Sequence, residues 1–279
     1  MIKIMTDSTC DLTPERREQL GVEVVPLSVH FGPEAFLDGE TITNKEFYER
    51  LRKADALPTT AQVNPEEFAR RFQAHVDNGD EVVGIFLSSL LSGTCQSANI
   101  ARDMVDENRV HVVDSGTVTF ALGLLIEVAC ELRDQGKSAK EITGEIQRIL
   151  PRVRILAVVD TLKYLKMGGR ISGAAAVVGG MLGITPILAV KDGVVESPAK
   201  TRGRKAAFNW MDKCLLEEPV DSSLPVAFGH SDAPEALAET IAHFTPLIGG
   251  AKTGVSNIGS VVGTHAGPGA AGIAYFVKG

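Results

Sequence analysis

The chain has 279 residues, 44% of them hydrophobic and 23% charged, which is ordinary globular composition and enough for a sizeable core in one large domain or two smaller ones. A formal net charge of -7 argues against general binding to nucleic acid or stable insertion beside anionic lipid, although an anionic ligand held by helix ends and a few placed cations is compatible with it. Cys10, Cys95, Cys130 and Cys214 are scattered, without CxxC or Cys/His spacing, so reduced thiols in a cytoplasmic protein are expected and neither a disulfide framework nor a metal site.

Residues 2–5 form a short predicted strand that runs into the loop Thr6-Asp7-Ser8-Thr9, and no secretory leader is expected. Asp11 or Thr13 caps a helix with Pro14 in its first turn, and residues 22–27 are the next strand. This order predicts a parallel α/β sheet, where ligands sit beyond the carboxyl ends of the strands. Thr6, Ser8 and Ser88 are expected on that rim. Thr43-Asn44-Lys45-Glu46 is a capping box for a helix through Leu51, and Asn64-Pro65-Glu66-Glu67 opens another. Between them residues 57–62 are extended, and Thr59 and Thr60 are expected in a loop.

Residues 81–87 are a third strand, which empties into Ser88-Ser89-Leu90-Leu91-Ser92-Gly93-Thr94 and then a helix. A hydroxyl-rich turn at a helix N-terminus suits an anion, and Gly93 lets a ligand approach the backbone. The plainer alternative is that Ser92 or Thr94 only caps the helix. Residues 110–115 are a fourth strand. The helix expected over 119–135 is apolar on most faces and therefore buried. Ser138 caps a further helix through Leu150, and residues 154–159 form a strand.

The composition shifts here. The run 171–190 carries no charge, yet its glycines, alanines and Thr185-Pro186 fit a buried helix followed by a strand better than a membrane span. Lys191-Asp192-Gly193 marks a hairpin, and strands or helices follow at 208–216, 224–230, 234–244 and 272–277. The expected architecture is α/β in two domains, a Rossmann-like parallel-sheet domain over 1–155 and a mixed-sheet domain over 156–279.

Two cations stand in glycine-rich surroundings. Arg170 follows Gly168-Gly169 and is suited to bidentate carboxylate or phosphate binding, and His265 is expected in a loop before Gly267-Pro268-Gly269. Ser92, His265 and Asp7 or Asp114 can be drawn as a triad, but Ser-Gly-Thr is not a nucleophile elbow. The chain also lacks a Walker A motif, a GxGxxG after a strand, an HExxH and an EF-hand loop. It has parts that hold an anion and no evident catalytic engine.

The motifs in order are Thr6-Asp7-Ser8-Thr9-Cys10-Asp11-Leu12, Pro58-Thr59-Thr60-Ala61-Gln62, the turn from Ser88 to Thr94 with Gln96, and Val113-Asp114-Ser115. Then come Leu162-Lys163-Tyr164-Leu165-Lys166-Met167-Gly168-Gly169-Arg170-Ile171, Arg202-Gly203-Arg204-Lys205-Ala206 and His265-Ala266-Gly267-Pro268-Gly269. As an ordered set over nearly the whole chain, they resemble the DegV family, the fatty-acid-binding subunits of bacterial fatty acid kinase. The resemblance implies a two-domain protein that encloses one long-chain fatty acid as ligand, its carboxyl group near the domain junction and its tail in the second domain. It also implies a non-catalytic role, with the carboxylate presented to a separate ATP-dependent fatty acid kinase that makes acyl phosphate for phospholipid synthesis.

Carried over by motif, Thr60, Ser92 and His265 hydrogen-bond the carboxylate, with Thr59 and Arg170 close by. The run 171–190 then becomes a candidate tunnel wall. One departure stands out: the family's Gly-Lys-Pro is here Gly183-Ile184-Thr185-Pro186, without the cation. Lys200, Arg202, Arg204 and Lys205 make a dense basic patch in an acidic chain, an expected docking surface for the kinase. The competing readings are an esterase or acyl-transfer enzyme using Ser92 and His265, and a phosphate or nucleotide binder at the same strand ends.

Overall fold

The computed structural model describes residues 1–171 and 183–279. The first part of the chain runs through β1 (Ile2–Asp7), α1 (Pro14–Leu20), β2 (Glu23–Val25), β3 (Ser28–Phe31), β4 (Glu34–Leu37), α2 (Asn44–Lys53), β5 (Thr59–Ala61) and α3 (Pro65–Asp77). It continues with β6 (Glu81–Phe86), α4 (Thr94–Val105), β7 (Val110–Asp114), α5 (Phe120–Asp134) and α6 (Ala139–Ile149). The second part holds β8 (Val153–Val158), α7 (Lys163–Met167), β9 (Ile184–Lys191), β10 (Val194–Arg202), α8 (Arg204–Glu217) and β11 (Val226–His230). It closes with α9 (Pro234–Phe244), β12 (Thr253–Asn257), α10 (Ser260–Ala266) and β13 (Ala271–Phe276).

Local chemistry sets several of these boundaries. Thr13 rather than Asp11 caps α1, its hydroxyl accepting the Arg16 N–H at 3.2 Å. The capping boxes at Thr43/Glu46 and Ser138/Glu141 close as their spacing predicts. The four-stranded sheet β2-β1-β6-β7 is parallel throughout. The six-stranded sheet β10-β9-β8-β13-β11-β12 is antiparallel except between β11 and β12. A third, antiparallel sheet, β4-β3-β5, was not legible as such: β5 pairs with β3, so Thr59 and Thr60 lie in a strand and not in a loop.

Helix α5 positions the rest. It packs on β1 and β6 on one side and on β8, β11 and β13 on the other. Its first eleven residues carry Phe120, Leu122, Leu124, Leu125, Ile126 and Val128, all buried, which explains an apolar pattern running round the whole helix. One core therefore joins Ile4, Val83 and Ile85 of the parallel sheet to Ile155, Ala274 and Phe276 of the mixed sheet. Among the described residues, no helix is long and apolar enough to cross a membrane. Of the small-residue run expected to wall a tunnel, residues 172–182 lie outside the described residues.

The short helix α10 crosses from the second part of the chain onto the first, where it packs against α2, β3 and β5. Buried carboxylates from the start of the chain hold its N-terminus. Asp38 Oδ1 accepts the Ser260 N–H at 2.8 Å and the Ser260 hydroxyl at 2.6 Å, and Asp11 Oδ1 accepts the Gly259 N–H at 2.8 Å. These bonds satisfy two of the free N–H groups that open every helix, those of Gly259 and Ser260. Tyr48 adds a hydroxyl bond to the Ile258 carbonyl at 3.0 Å.

Candidate functional site

A cavity of about 360 Å³ lies between the two larger sheets. Leu27, Leu87 and Val118 from the first part of the chain and Ile155, Leu188 and Val261 from the second form much of its apolar wall. Thr60, Gln62, Ser92, Arg170 and His265 also line it and supply polar groups, while the hydroxyls of the lining Thr9 and Thr119 are held by Asp7 and Asp11.

His265 is in the last turn of α10, not in a loop as the sequence suggested. Its Nε2 is 3.1 Å from the Thr60 hydroxyl, while Nδ1 is buried and makes no hydrogen bond among the described residues. Burial, and then the nearby Arg170 charge, pushes its pKa from the usual 6.5 down to about 4. The imidazole is therefore neutral near pH 7, with one N–H to give. Gly168 makes room for it, since a Cβ at that position would stand 2.2 Å from Nδ1. That contact gives the glycine pair before Arg170 a reason: Gly168 receives the ring, and Gly169, at φ 68°, turns the chain out of α7.

Arg170 is exposed. Its Nη1 donates to the Gly168 carbonyl at 2.7 Å and its Nε reaches the Leu91 carbonyl at 3.4 Å, tying the end of α7 to the loop that carries Ser92. Ser92 Oγ is 3.0 Å from Thr94 Oγ1 and accepts the Thr94 N–H at 3.3 Å, so it tightens the turn before α4, whose N-cap is Gly93 without a side-chain cap, and it lines the cavity. Thr60 and Thr59 part company because successive side chains of a strand face opposite sides. Thr60 lines the cavity; Thr59 is exposed and is not part of its wall.

Gln62 was quoted in a motif but not picked as a site residue. Its Nε2 donates to Ser97 Oγ at 3.0 Å, and a Cβ on Gly93 would stand 2.1 Å from its Oε1. The space that Gly93 leaves is thus taken by this amide. Ser88 and Ser8 serve the framework: Ser88 Oγ donates to the Gly193 carbonyl at 2.7 Å, and Ser8 Oγ accepts the Leu27 N–H at 3.1 Å. Thr6 Oγ1 is buried without a hydrogen bond among the described residues.

The triad drawn from the sequence is not assembled. The His265 ring meets Thr60, while Ser92 meets Thr94. Asp7 accepts from Thr9 and from the Leu87 N–H, and Asp114 accepts from Ser89 and Gly116 N–H groups. Burial drives the Cys10, Cys95 and Cys130 thiols up to about 12, out of nucleophilic range. Among the described residues, no group of three or more His, Cys, Asp or Glu side chains is placed to hold a metal ion. Of the basic patch, Arg202 and Lys205 are exposed, whereas Arg204 is partly buried and pairs with Glu239 at 3.5 Å.

Fold and site together define an α/β protein whose two larger sheets share a buried helix, with an apolar cavity that carries one small set of polar groups. The chain belongs to the DegV family: residues 1–278 match the family described as "Uncharacterised protein, DegV family". It is 38% identical over 278 residues to a DegV domain-containing protein of Caldanaerobacter subterraneus subsp. tengcongensis, covering 99% of each chain. A DegV domain-containing protein of Deinococcus radiodurans is 38% identical over 280 residues, covering 98% of this chain and 97% of the relative. Among solved structures, a DegV family protein from Thermus thermophilus described for its fatty acid binding superposes with a TM-score of 0.89 at 33% identity, over 99% of each chain. DegV from Bacillus subtilis, described as a fatty acid binding protein, gives 0.87 at 33% identity over 99% of each chain. A stearic-acid-binding protein from Eubacterium ventriosum gives 0.89 at 31% identity over 100% of this chain and 99% of the other.

Proposed function

We propose that the cavity holds one long-chain fatty acid, with the carboxylate at Thr60, Ser92 and His265 and with Arg170 close by. The observation that carries the reading is a neutral, buried imidazole paired with a threonine hydroxyl in an otherwise largely apolar cavity. Fatty acid binding by the Thermus, Bacillus and Eubacterium proteins supports it. Thr60 and Ser92 come from the first part of the chain and Arg170 and His265 from the second, which begins with β8, so the carboxyl group joins the two. Burial yields about 0.8 kcal/mol per methylene, so a chain of about sixteen carbons gains on the order of 10 kcal/mol before ordering costs. The tail supplies affinity and the polar groups supply orientation.

In this reading the protein is a cytoplasmic, non-catalytic carrier that presents the carboxylate to an ATP-dependent fatty acid kinase. The exposed Arg202 and Lys205 are its docking cations, with Arg204 fixed beside them by Glu239. The first test is mass spectrometry of an organic extract of the purified protein. About one fatty acid per chain is expected. An empty extract, together with no thermal stabilisation on adding palmitate, overturns the reading. The docking part is tested by acyl phosphate formation with purified kinase and ATP: Arg202→Glu slows it, and full activity in that variant removes Arg202 from the surface.

A further inference from the structure

We infer that Phe120 is the partition that sets how long an acyl chain the cavity accepts; this rests on the fatty acid reading above. Phe120 opens α5 and lines the cavity. On its other side is a second cleft of about 310 Å³, lined by Leu12, Gly123, Leu124 and Ala227, with the Arg16–Glu127 ion pair at 2.8 Å in its wall. Among the described residues, Phe120 alone lines both spaces. A single side chain therefore stands between them.

The fold fixes that side chain from two directions. Gly229 of β11 gives the ring its place, since a Cβ there would stand 2.1 Å from the Phe120 Cδ1. Thr119, the residue before, is held at φ 57°, a conformation that costs a β-branched residue strain, and its hydroxyl donates to buried Asp11 at 2.5 Å. The entry to α5 is thus set so that the ring lies against the strand. Another cleft shares Ile155, Ala189 and Val190 with the cavity. Those residues sit in β8 and β9, whose paired backbones stay in place when a side chain is shortened. At Phe120 the two spaces share one residue and no paired strand.

The test loads delipidated wild type, Phe120→Ala, Phe120→Leu and Leu124→Ala with an equimolar mixture of sixteen- and twenty-carbon saturated fatty acids and measures the bound ratio by mass spectrometry. Each extra buried methylene raises affinity by about fourfold, so room for two of them favours the longer chain by more than about tenfold. Phe120→Ala is expected to raise the ratio of long to short by that much. Phe120→Leu, which keeps most of the core filled, is expected to move it the same way by less. Leu124→Ala enlarges the second cleft without opening the wall and is expected to leave the ratio alone. An unchanged ratio in both Phe120 variants, or an equal shift in Leu124→Ala, overturns the partition. Failure of wild type to load either acid instead overturns the fatty acid reading itself, so the two failures are distinct.

Discussion

In the proposed reading, His265 is a single side chain prepared for an anion without carrying charge. Its Nδ1 faces Gly168 and its Nε2 faces Thr60, so the ring has one direction in which to donate. A carboxylate arriving there replaces a weak neutral contact by a charge-assisted one, worth about 1.5–3 kcal/mol. Thr60→Val is accordingly expected to weaken fatty acid binding by at least about tenfold, with little change in the melting temperature of the unliganded protein. Titration with a fluorescent fatty acid checks this, and unaltered affinity would place the carboxylate elsewhere. Gly168→Ala is the sharper test, because the added methyl stands where the imidazole is and forces it to move. It is expected to weaken binding about as much as His265→Ala does, although it removes no polar group. Ser92, Arg170 and His265 stood out in the sequence by their glycine-rich or hydroxyl-rich surroundings, whereas Thr60 entered only through the family resemblance, its local sequence reading as a turn; all four line the cavity. The separation of Thr59 from Thr60 was not legible, since it depends on the pairing of β5 with β3, a contact across thirty residues of chain. Gln62 over Gly93 and Gly168 under His265 were hidden for the same reason: packing partners distant in sequence leave no local signal.

At the level of elements, α10 is where local propensity and final structure disagree most. Ser-Val-Val-Gly-Thr-His-Ala is rich in β-branched residues and glycine, a poor helix by itself. Its N-terminus is instead held by Asp11 and Asp38, two buried carboxylates from the other end of the chain. Tertiary capping overrides propensity, which is why sequence reading made a loop of it. The small β3-β4 hairpin escaped for a different reason. Only Val29 among its eight residues is buried, so it carries almost no alternating pattern. Helix α5 and the central strands β1 and β6, buried over most of their length, were plain from their apolar runs.

The same capping arrangement predicts a pH effect. Burial, opposed by the Thr119 bond and reinforced by the charge of Asp38, raises Asp11 from 3.8 to about 8, and Asp38 is itself raised. Arg17 lowers both, without undoing the effect of burial. The folded chain then holds a proton on Asp11 that the unfolded chain has lost between pH 4 and pH 8, so stability from this group falls as pH rises through that window. The acids with lowered pKa values, Asp7 at about 6 and His265 have largely finished titrating by pH 7, and the buried Cys10, Cys95 and Cys130 thiols, raised from 9.0 to about 12, lower stability only as the pH approaches 9, which leaves the interval from 7 to 8 to the Asp11 and Asp38 pair. Melting temperature is expected to decline across it. Asp11→Asn keeps an acceptor for Gly259 N–H and gives Thr119 a donor, and should flatten the decline; parallel curves would show that Asp11 does not control it.

The whole molecule is built round one shared layer. Two sheets that could each have been an independent domain both bury a face on α5, and their side chains meet in a single core. Separating them would expose the apolar surface of α5 on one side or the other, a large cost at about 25 cal/mol per Å². Ser88 to Gly193, Asp11 and Asp38 to α10, and the Arg52–Asp232 ion pair close the same junction with polar contacts. Unfolding is therefore expected as one transition and not two, even though the chain is longer than most two-state proteins. A fatty acid in a cavity lined by both halves stabilises only the assembled state. At a hundred to a thousand times its dissociation constant it adds about 2.7–4.1 kcal/mol, or about 5–15 °C in melting temperature for a chain of this size. Calorimetry of delipidated and reloaded protein measures both quantities at once. A single peak that moves upward as a whole is the expected result. Two peaks of which only one responds would mean that the cavity belongs to one half, and that α5 packs on the other without joining it in folding.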